Sequence, residues 1–397
     1  MSAARGSVRA ATLRWVMHLG AMVGAATMAT PASAQRPAND TLLAPRRLRP
    51  VWRVGVEAAN TYESNVLFGG LQQALGDQYR QLGATLSGGV ATARTRIELQ
   101  GRGDVVRFAT LRDLDRETYD VGAVLTRKWS PRVASHLSGR AVTATMSTAV
   151  PQLNPTLLPL TITRTQSAVA SVAARPSAQL DLTSALDVSR IRFDDTTFIG
   201  GTTTGGAFAL AYRTGARSQL GAISDVRVAS FNRQEVGTAR FEAEVRHEVG
   251  RIKLRASGGA TVLQTLAVAG SEPLTSPTGS FEVSRRQNSV AVVLQGSRAI
   301  SAAFGLGRAL QTDQLVFSVE RAGLRGNTVR LSADASRNED PTDPRLSLQI
   351  ASVNAEMRRA LGGGLSLAIV GFARRRLEGV RITNTGASLT VSFGGGR

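Results

Sequence analysis

The chain has 397 residues, 42% of them hydrophobic and 19% charged, with 40 Gly and no Cys. That balance excludes a collagen-like or largely disordered chain, and the missing thiol excludes a disulfide framework, a Cys nucleophile and a thiolate metal site. The formal charge of +19 comes almost wholly from Arg, since Lys occurs only at Lys128 and Lys253; the basic residues are spread along the chain without a basic tail, which argues against nucleic acid as a partner.

At the start, Arg5, Arg9 and Arg14 flank and precede a mostly apolar run from Trp15 to Ala29, and Ala32-Ser33-Ala34 follows. This predicts a secretory signal peptide over 1–34, cleaved after Ala34. The run is shorter than the roughly 20 residues that a spanning helix needs, and no later stretch comes near that length. Cleavage removes three Arg and no acid, leaving a formal charge of +16. Residues 35–50, with Pro37, Pro45, Pro50 and Arg46-Arg47-Leu48-Arg49, read as a short extended arm on the periplasmic side.

From Val51 onward the pattern keeps period two. In the run from Arg251 to Val262, Ile252, Leu254, Ala256, Gly258, Ala260 and Val262 alternate with Arg251, Lys253, Arg255, Ser257, Gly259 and Thr261. Only a strand separates those two sets. Phe241, Ala243 and Val245 alternate with Arg240, Glu242, Glu244 and Arg246 in the same way, and the runs 96–102 and 328–335 repeat it. Counting such runs predicts about 18 strands of membrane-spanning length, with 16 to 18 as the range. The expected starts are near 51, 78, 93, 117, 132, 164, 178, 205, 218, 237, 251, 278, 289, 312, 327, 345, 365 and 382. Tight turns at Ser130-Pro131, Arg175-Pro176-Ser177, Gly250, Asn288 and Gly362-Gly363-Gly364 alternate with longer connections at 63–77, 147–162, 194–204 and 266–277. An even strand number puts both termini on the tight-turn side.

A soluble sandwich of this length needs a large core of Val, Ile, Leu, Phe and Trp. Here the apolar face is lean, rich in Ala and Gly, and aromatics make up 5% of the chain. Lipid packs against such a face without a protein core, and an open sheet edge in hydrocarbon would leave amides unpaired, so the sheet must close. The expected fold is all-β: a single transmembrane antiparallel up-and-down β-barrel over 51–393, followed by a tail at 394–397. Trp52, Tyr62, Tyr119, Trp129, Tyr212, Phe231 and Phe393 fall near strand ends, where aromatic rings suit the bilayer interface.

The segment Asn384-Thr385-Gly386-Ala387-Ser388-Leu389-Thr390-Val391-Ser392-Phe393 resembles the C-terminal assembly signal of bacterial outer-membrane proteins, with Gly386, Leu389, Val391 and Phe393 as its spaced positions. The chain departs from that signal by continuing through Gly394-Gly395-Gly396-Arg397. The resemblance implies a place in the bacterial outer membrane and the barrel assembly machinery as a partner. Tyr62-Glu63-Ser64-Asn65-Val66 resembles a turn near the start of some outer-membrane porin families. The connection from Pro151 to Leu160 is the third on the long side; by its resemblance to general porins it would fold inward as a constriction carrying Pro151, Leu153, Pro155 and Leu157, although it lacks their acidic residues. A contact with lipid headgroups or with a second subunit of a homo-oligomer is the other reading of that apolar loop.

No enzyme, metal centre or cofactor is expected. Ser138 is the one same-face hydroxyl two residues from His136, and no acid lies in that run; His247 stands between Arg246 and Glu248 without further ligands. The acidic loop Asn338 to Pro344 lacks the ligand spacing of a calcium loop, and Gly362-Gly363-Gly364 precedes no helix, so a phosphate loop is excluded.

The charged columns carry the functional reading. The candidate lumen-lining residues are Arg96, Glu98, Arg102, Arg240, Glu242, Glu244, Arg246, Arg251, Lys253, Arg255, Arg330 and Asp334. Basic rings in a pore favour anions, whereas acids among them form ion pairs. The expectation is a porin-like outer-membrane channel for the passive passage of small, anionic solutes. An export conduit for an anionic polysaccharide and a non-conducting structural or adhesive surface barrel are the alternatives. Arginines on the outer rim would meet the phosphates of outer-membrane lipid and lipopolysaccharide.

Overall fold

A computed structural model describes residues 51–66, 75–145, 161–196, 198–231, 234–266, 272–303, 308–323, 326–341, 343–377 and 382–396. They form one closed sheet of 18 antiparallel strands. In chain order these are β1 (Val51–Glu63), β2 (Asp77–Ala91), β3 (Thr95–Phe108), β4 (Arg116–Ser130), β5 (Val133–Thr145) and β6 (Ile162–Ala174). Then come β7 (Leu180–Phe193), β8 (Gly201–Arg213), β9 (Ser218–Phe231), β10 (Gln234–Val249), β11 (Ile252–Thr265) and β12 (Leu274–Gln287). The wall is completed by β13 (Val290–Ala303), β14 (Arg308–Ala322), β15 (Asn327–Asp340), β16 (Asp343–Gly362), β17 (Leu365–Arg376) and β18 (Thr383–Gly396). Each strand pairs with its sequence neighbours, and β18 closes on β1 with Phe393 opposite Val56, so the wall has no free edge.

The expected starts are met within four residues; β8, β12 and β14 each begin four residues earlier than their patterns suggested. The glycines expected as a tail extend the wall instead, with Gly394, Gly395 and Gly396 of β18 opposite Gly55, Val54 and Arg53 of β1. Glycine carries no side chain to set a period, which is why alternation lost the strand there.

Backbone conformation explains the tight rim. Gly250 has φ 59°, and Gly362, Gly363 and Gly364 have φ 93°, 59° and 84°, values that a side-chain-bearing residue adopts only with strain. Asn288, whose short amide side chain tolerates this region, holds φ 51°.

Faces follow the alternation. Val54 and Val56 of β1, Leu82 and Leu86 of β2, Ile97 and Leu99 of β3, Leu186 and Val188 of β7, and Leu389 and Val391 of β18 are exposed on the convex side. The alternate positions include Thr61, Asp104, Asp225, Glu242, Glu244 and Thr261, which are polar yet buried. A concave wall crowds the side chains that it encloses, so these residues mark the inward face. Trp52, Tyr62, Tyr119, Trp129, Tyr212 and Phe393 point outward and are exposed, Trp52, Trp129, Tyr212 and Phe393 near the tight-turn rim and the other two toward the long-loop rim.

Phe231 departs from the interfacial role expected of it. It shares the inward face of β9 with Asp225 and is 2% exposed. It belongs to an apolar cluster with Ile191, Ala229, Val236, Leu263, Ala309 and Leu310 at the long-loop end of β7 to β14. A second inward cluster at the same end joins Val66, Val106 and Phe108 to Tyr79, Leu111 and Leu114. A side chain on an open, water-filled wall would be wet, so its burial shows that neighbouring groups cover the wall there. The seam between β12 and β13 has the shortest register of the barrel, running from Gln287 opposite Val290 to Gly279 opposite Arg298, although both strands continue beyond it.

Candidate functional site: the lumenal charge lattice

The inward face of β1, β2 and β3 holds the first charge cluster. Period two places Glu57, Arg102 and Asp104 on that face, and the register sets Gly83 of β2 between Glu57 and Asp104. Arg102 donates through Nε to Asp104 at 2.7 Å and through Nη2 to Glu57 at 3.1 Å, so one guanidinium ties β3 to β1 across the intervening strand. Gly83 makes this possible, because a Cβ there would stand 2.3 Å from Asp104 Oδ1. Gln81 donates to the same carboxylate at 2.9 Å.

The second cluster lies on β9, β10 and β11. Glu244, 5% exposed, accepts from Arg255 at 2.8 Å and also from Arg246. Arg240 stands 3.9 Å from Asp225 and 3.8 Å from Glu242, while Arg227 reaches Asp225 at 3.0 Å. Lys253 meets Glu248 at 3.1 Å nearer the tight-turn rim. Smaller pairs continue around the wall. Arg140 donates to Asp120 at 2.8 Å, Arg213 to Asp181 at 2.8 Å, and Arg358 lies 3.0 Å from Glu356.

The sequence-derived candidates therefore divide among several places. Arg102 belongs to the first cluster; Arg240, Glu242, Glu244, Arg246 and Arg255 belong to the second, with Lys253 beside it. Arg96 and Glu98 form their own pair near the tight-turn end of β3, with the Arg96 side chain 62% exposed. Arg330 sits between Glu320 and Glu356 in register, and Asp334 accepts from Ser352. Arg251 occupies the turn with Gly250 before β11 starts, so it is a rim residue and not part of a strand column. Pro151, Leu153, Pro155 and Leu157 lie outside the described residues, as do the signal peptide and the arm.

Sequence reasoning missed Glu57, Asp104, Asp120, Asp181, Asp225 and Glu356, the carboxylates that pair with the arginines. Each sits at a period-two position of its own strand, but which arginine it meets depends on the register between strands.

Toward the long-loop rim the lattice gives way to the apolar clusters. Arg116 of β4 lies over the Phe108 ring at 5.2 Å, and Tyr79 donates to Glu63 at 3.0 Å. A cation over a ring face is held by the ring quadrupole, which suits an arginine set among apolar neighbours.

His136 and His247 lie on opposite faces of the wall. His136 Nδ1 is 3.4 Å from Thr126 Oγ1 on the inward face, and His247 Nδ1 is 2.8 Å from Ser218 Oγ on the outward face. Among the described residues no carboxylate hydrogen-bonds either ring, and no group of three or more His, Asp or Glu converges as a metal site would require. Of the C-terminal positions, Leu389, Val391 and Phe393 point outward, whereas Gly386 faces inward beneath Phe372.

No protein-family model matches the sequence, and no curated protein matches it. Solved structures do. OccAB4 of Acinetobacter baumannii superposes with a TM-score of 0.50 at 9% identity, covering 89% of this chain and 99% of that one. OccK9 (OpdG) of Pseudomonas aeruginosa gives 0.51 at 12% identity, covering 87% and 98%. OccK11 (OpdR) of the same organism gives 0.50 at 12%, covering 88% and 96%. These chains are outer-membrane porins. At such identities the likeness is one of fold, and the chain has the 18-stranded closed β-barrel fold of a bacterial outer-membrane porin.

Proposed function

We propose that this protein is a passive channel of the bacterial outer membrane that admits small hydrophilic solutes, with a modest preference for anions. The observation that carries this reading is the division of faces: an apolar convex wall and a charged concave one, on a closed sheet of 18 strands. A barrel of that strand number is wide enough for an aqueous path. The charges are in pairs, and pairing sets the strength of selectivity. A lone ring of arginines would exclude cations strongly, whereas a guanidinium beside a carboxylate presents its remaining N–H groups to a passing anion with most of its field cancelled. Sites such as Glu244, one carboxylate shared by two arginines, keep a positive remainder.

Supporting features complete the picture. Export begins with cleavage after Ala34, and the tight-turn rim faces the periplasm, where both barrel termini lie. Leu389, Val391 and Phe393 on the outer face of β18 are the positions that the assembly machinery reads. The reading assigns no chemistry to His136 or His247. Liposome swelling tests it: proteoliposomes carrying the refolded mature chain admit small sugar acids faster than neutral sugars of equal size. Liposomes that stay impermeable to both would contradict it.

A further inference from the structure

The arginines of the two inward clusters have carboxylates beside them; part of the outer wall does not. On β6 and β7, Arg164 and Arg192 stand directly opposite each other in register, and Arg190 follows two residues along the same face. All three are exposed on the convex side at the long-loop end. On β2 and β3 the same device recurs, with Arg80 opposite Arg107. Like charges directly opposite on an antiparallel pair repel and destabilise the sheet. At two other points of this rim arginine charge is cancelled: Arg298 pairs with Asp313 at 2.6 Å, and Arg337 pairs with Glu339. Arg107 also has Glu117 at 3.3 Å. On the β6–β7 face, Asp194 reaches Arg164 at 3.2 Å, and among the described residues no carboxylate pairs with Arg190 or Arg192.

The surroundings fit a phosphate that carries acyl chains. Thr143 stands in register with Arg164, and Gln166 and Thr202 flank Arg190, giving neutral hydrogen-bonding groups around the three guanidiniums. Below Arg190 toward the middle of the wall the same face turns apolar, with Val188 and Leu186 on β7 and Ala168 and Ala170 on β6. A cationic level directly above an apolar strip matches an amphiphile with an anionic head, whereas a dissolved anion would gain nothing from the strip. Guanidinium groups bind phosphate through paired N–H donors.

We infer that the outward face of β6 and β7 is a docking site for a phosphate-bearing glycolipid of the outer leaflet, its phosphates on Arg164, Arg190 and Arg192 and an acyl chain along Leu186 and Val188. The inference rests on the outer-membrane reading and is independent of whether the lumen conducts.

Native mass spectrometry of the full folded barrel in detergent, titrated with bisphosphorylated lipid A, tests this site. The Arg190→Gln/Arg192→Gln variant is expected to lose at least about tenfold in apparent affinity, the repulsion it relieves leaving the fold intact by heat-modifiable gel mobility. Arg127→Gln/Arg321→Gln, on the opposite rim, retains wild-type binding. Lipid A stripped of its phosphates binds the wild type as weakly as the variant does, and millimolar inorganic phosphate fails to displace the intact lipid. Equal binding by wild type and the Arg190/Arg192 variant, or undiminished binding of the dephosphorylated lipid, would overturn the inference. Displacement by inorganic phosphate would overturn the lipid in favour of a soluble anion. Because conductance is read separately, a barrel that binds lipid but does not conduct would count against the channel alone.

Discussion

Arg102 of β3 and Glu57 of β1 meet at 3.1 Å across the bare backbone of Gly83, which lets one guanidinium clasp carboxylates on two sides of an intervening strand. Three strands are thereby tied on the inner face, on the tight-turn side of the apolar cluster of Val106, Phe108 and Tyr79. A side chain at position 83 would stand where Asp104 now sits, so Gly83→Val should separate Glu57 from Arg102 and destabilise the barrel by about 1–3 kcal/mol, in the range of an overpacked site. Urea titration of the folded protein in lipid vesicles, followed by Trp fluorescence, checks it. An unchanged midpoint would show that the clasp contributes nothing.

In the proposed channel Glu244 would bear on both stability and selectivity. Its carboxylate is buried beside Arg246 and Arg255, and Glu244→Gln leaves both guanidiniums with a neutral neighbour. Loss of a hydrogen-bonded charge pair of this kind costs about 1–3 kcal/mol. The same change raises the net lumenal charge by one, so the reversal potential in a salt gradient should move toward the anion limit. Arg255→Gln should move it the other way. Shifts of the same sign for both variants would contradict a lumenal position for the cluster.

Exposure separates one arginine from another. The Arg96 side chain is largely in water beside a half-exposed Glu98, an arrangement that contributes at most about 1 kcal/mol. Arg96→Ala should leave the unfolding midpoint within error, whereas Arg102→Ala lowers it measurably because Asp104, nearly buried, loses its partner.

How much of this was legible in the sequence depends on what alternation encodes. A period of two says which residues share a face, and that sufficed for about 18 strands, their starts to within four residues, and the closed barrel. It says nothing about which residue of the next strand stands opposite, so Arg102 was found and Glu57 was not. Phe231 illustrates a different loss. Its place near a strand end suggested the bilayer interface, yet parity with Asp225 and Arg227 on the same strand already put it inside. Val106 and Phe108 likewise continue the face of Arg102 and Asp104, so the change from polar to apolar along one inward column was a readable sign that the long-loop end is lined differently.

In the proposed channel that apolar lining would narrow the path, and Phe231 is its most covered member. Phe231→Ala removes a ring from the cluster that holds Ile191, Val236, Leu263 and Leu310, a loss of about 3–5 kcal/mol for a large-to-small change in a packed cluster. The cavity opens toward the lumen, so unit conductance should rise as stability falls. A variant that unfolds more readily but conducts as the wild type does would place the cluster away from the conducting path.

Gly386 and Phe372 are coupled by size. A Cβ at 386 would crowd both the Phe372 ring and the backbone carbonyl of Tyr62, so Gly386→Val should slow folding into lipid vesicles, and adding Phe372→Ala should restore the rate in part, the Tyr62 contact remaining. Gel-shift folding kinetics of the two single variants and the double variant read the coupling directly, and purely additive effects would contradict it.

The most direct test of the channel is electrical. The mature chain, refolded and inserted into a planar bilayer, should give stepwise ohmic openings in symmetrical potassium chloride. Its reversal potential in a gradient should carry the sign of a modest anion preference, weakened in the Arg246→Gln/Arg255→Gln variant. Folded, heat-modifiable protein that inserts without any conductance would contradict an aqueous path through the lumen.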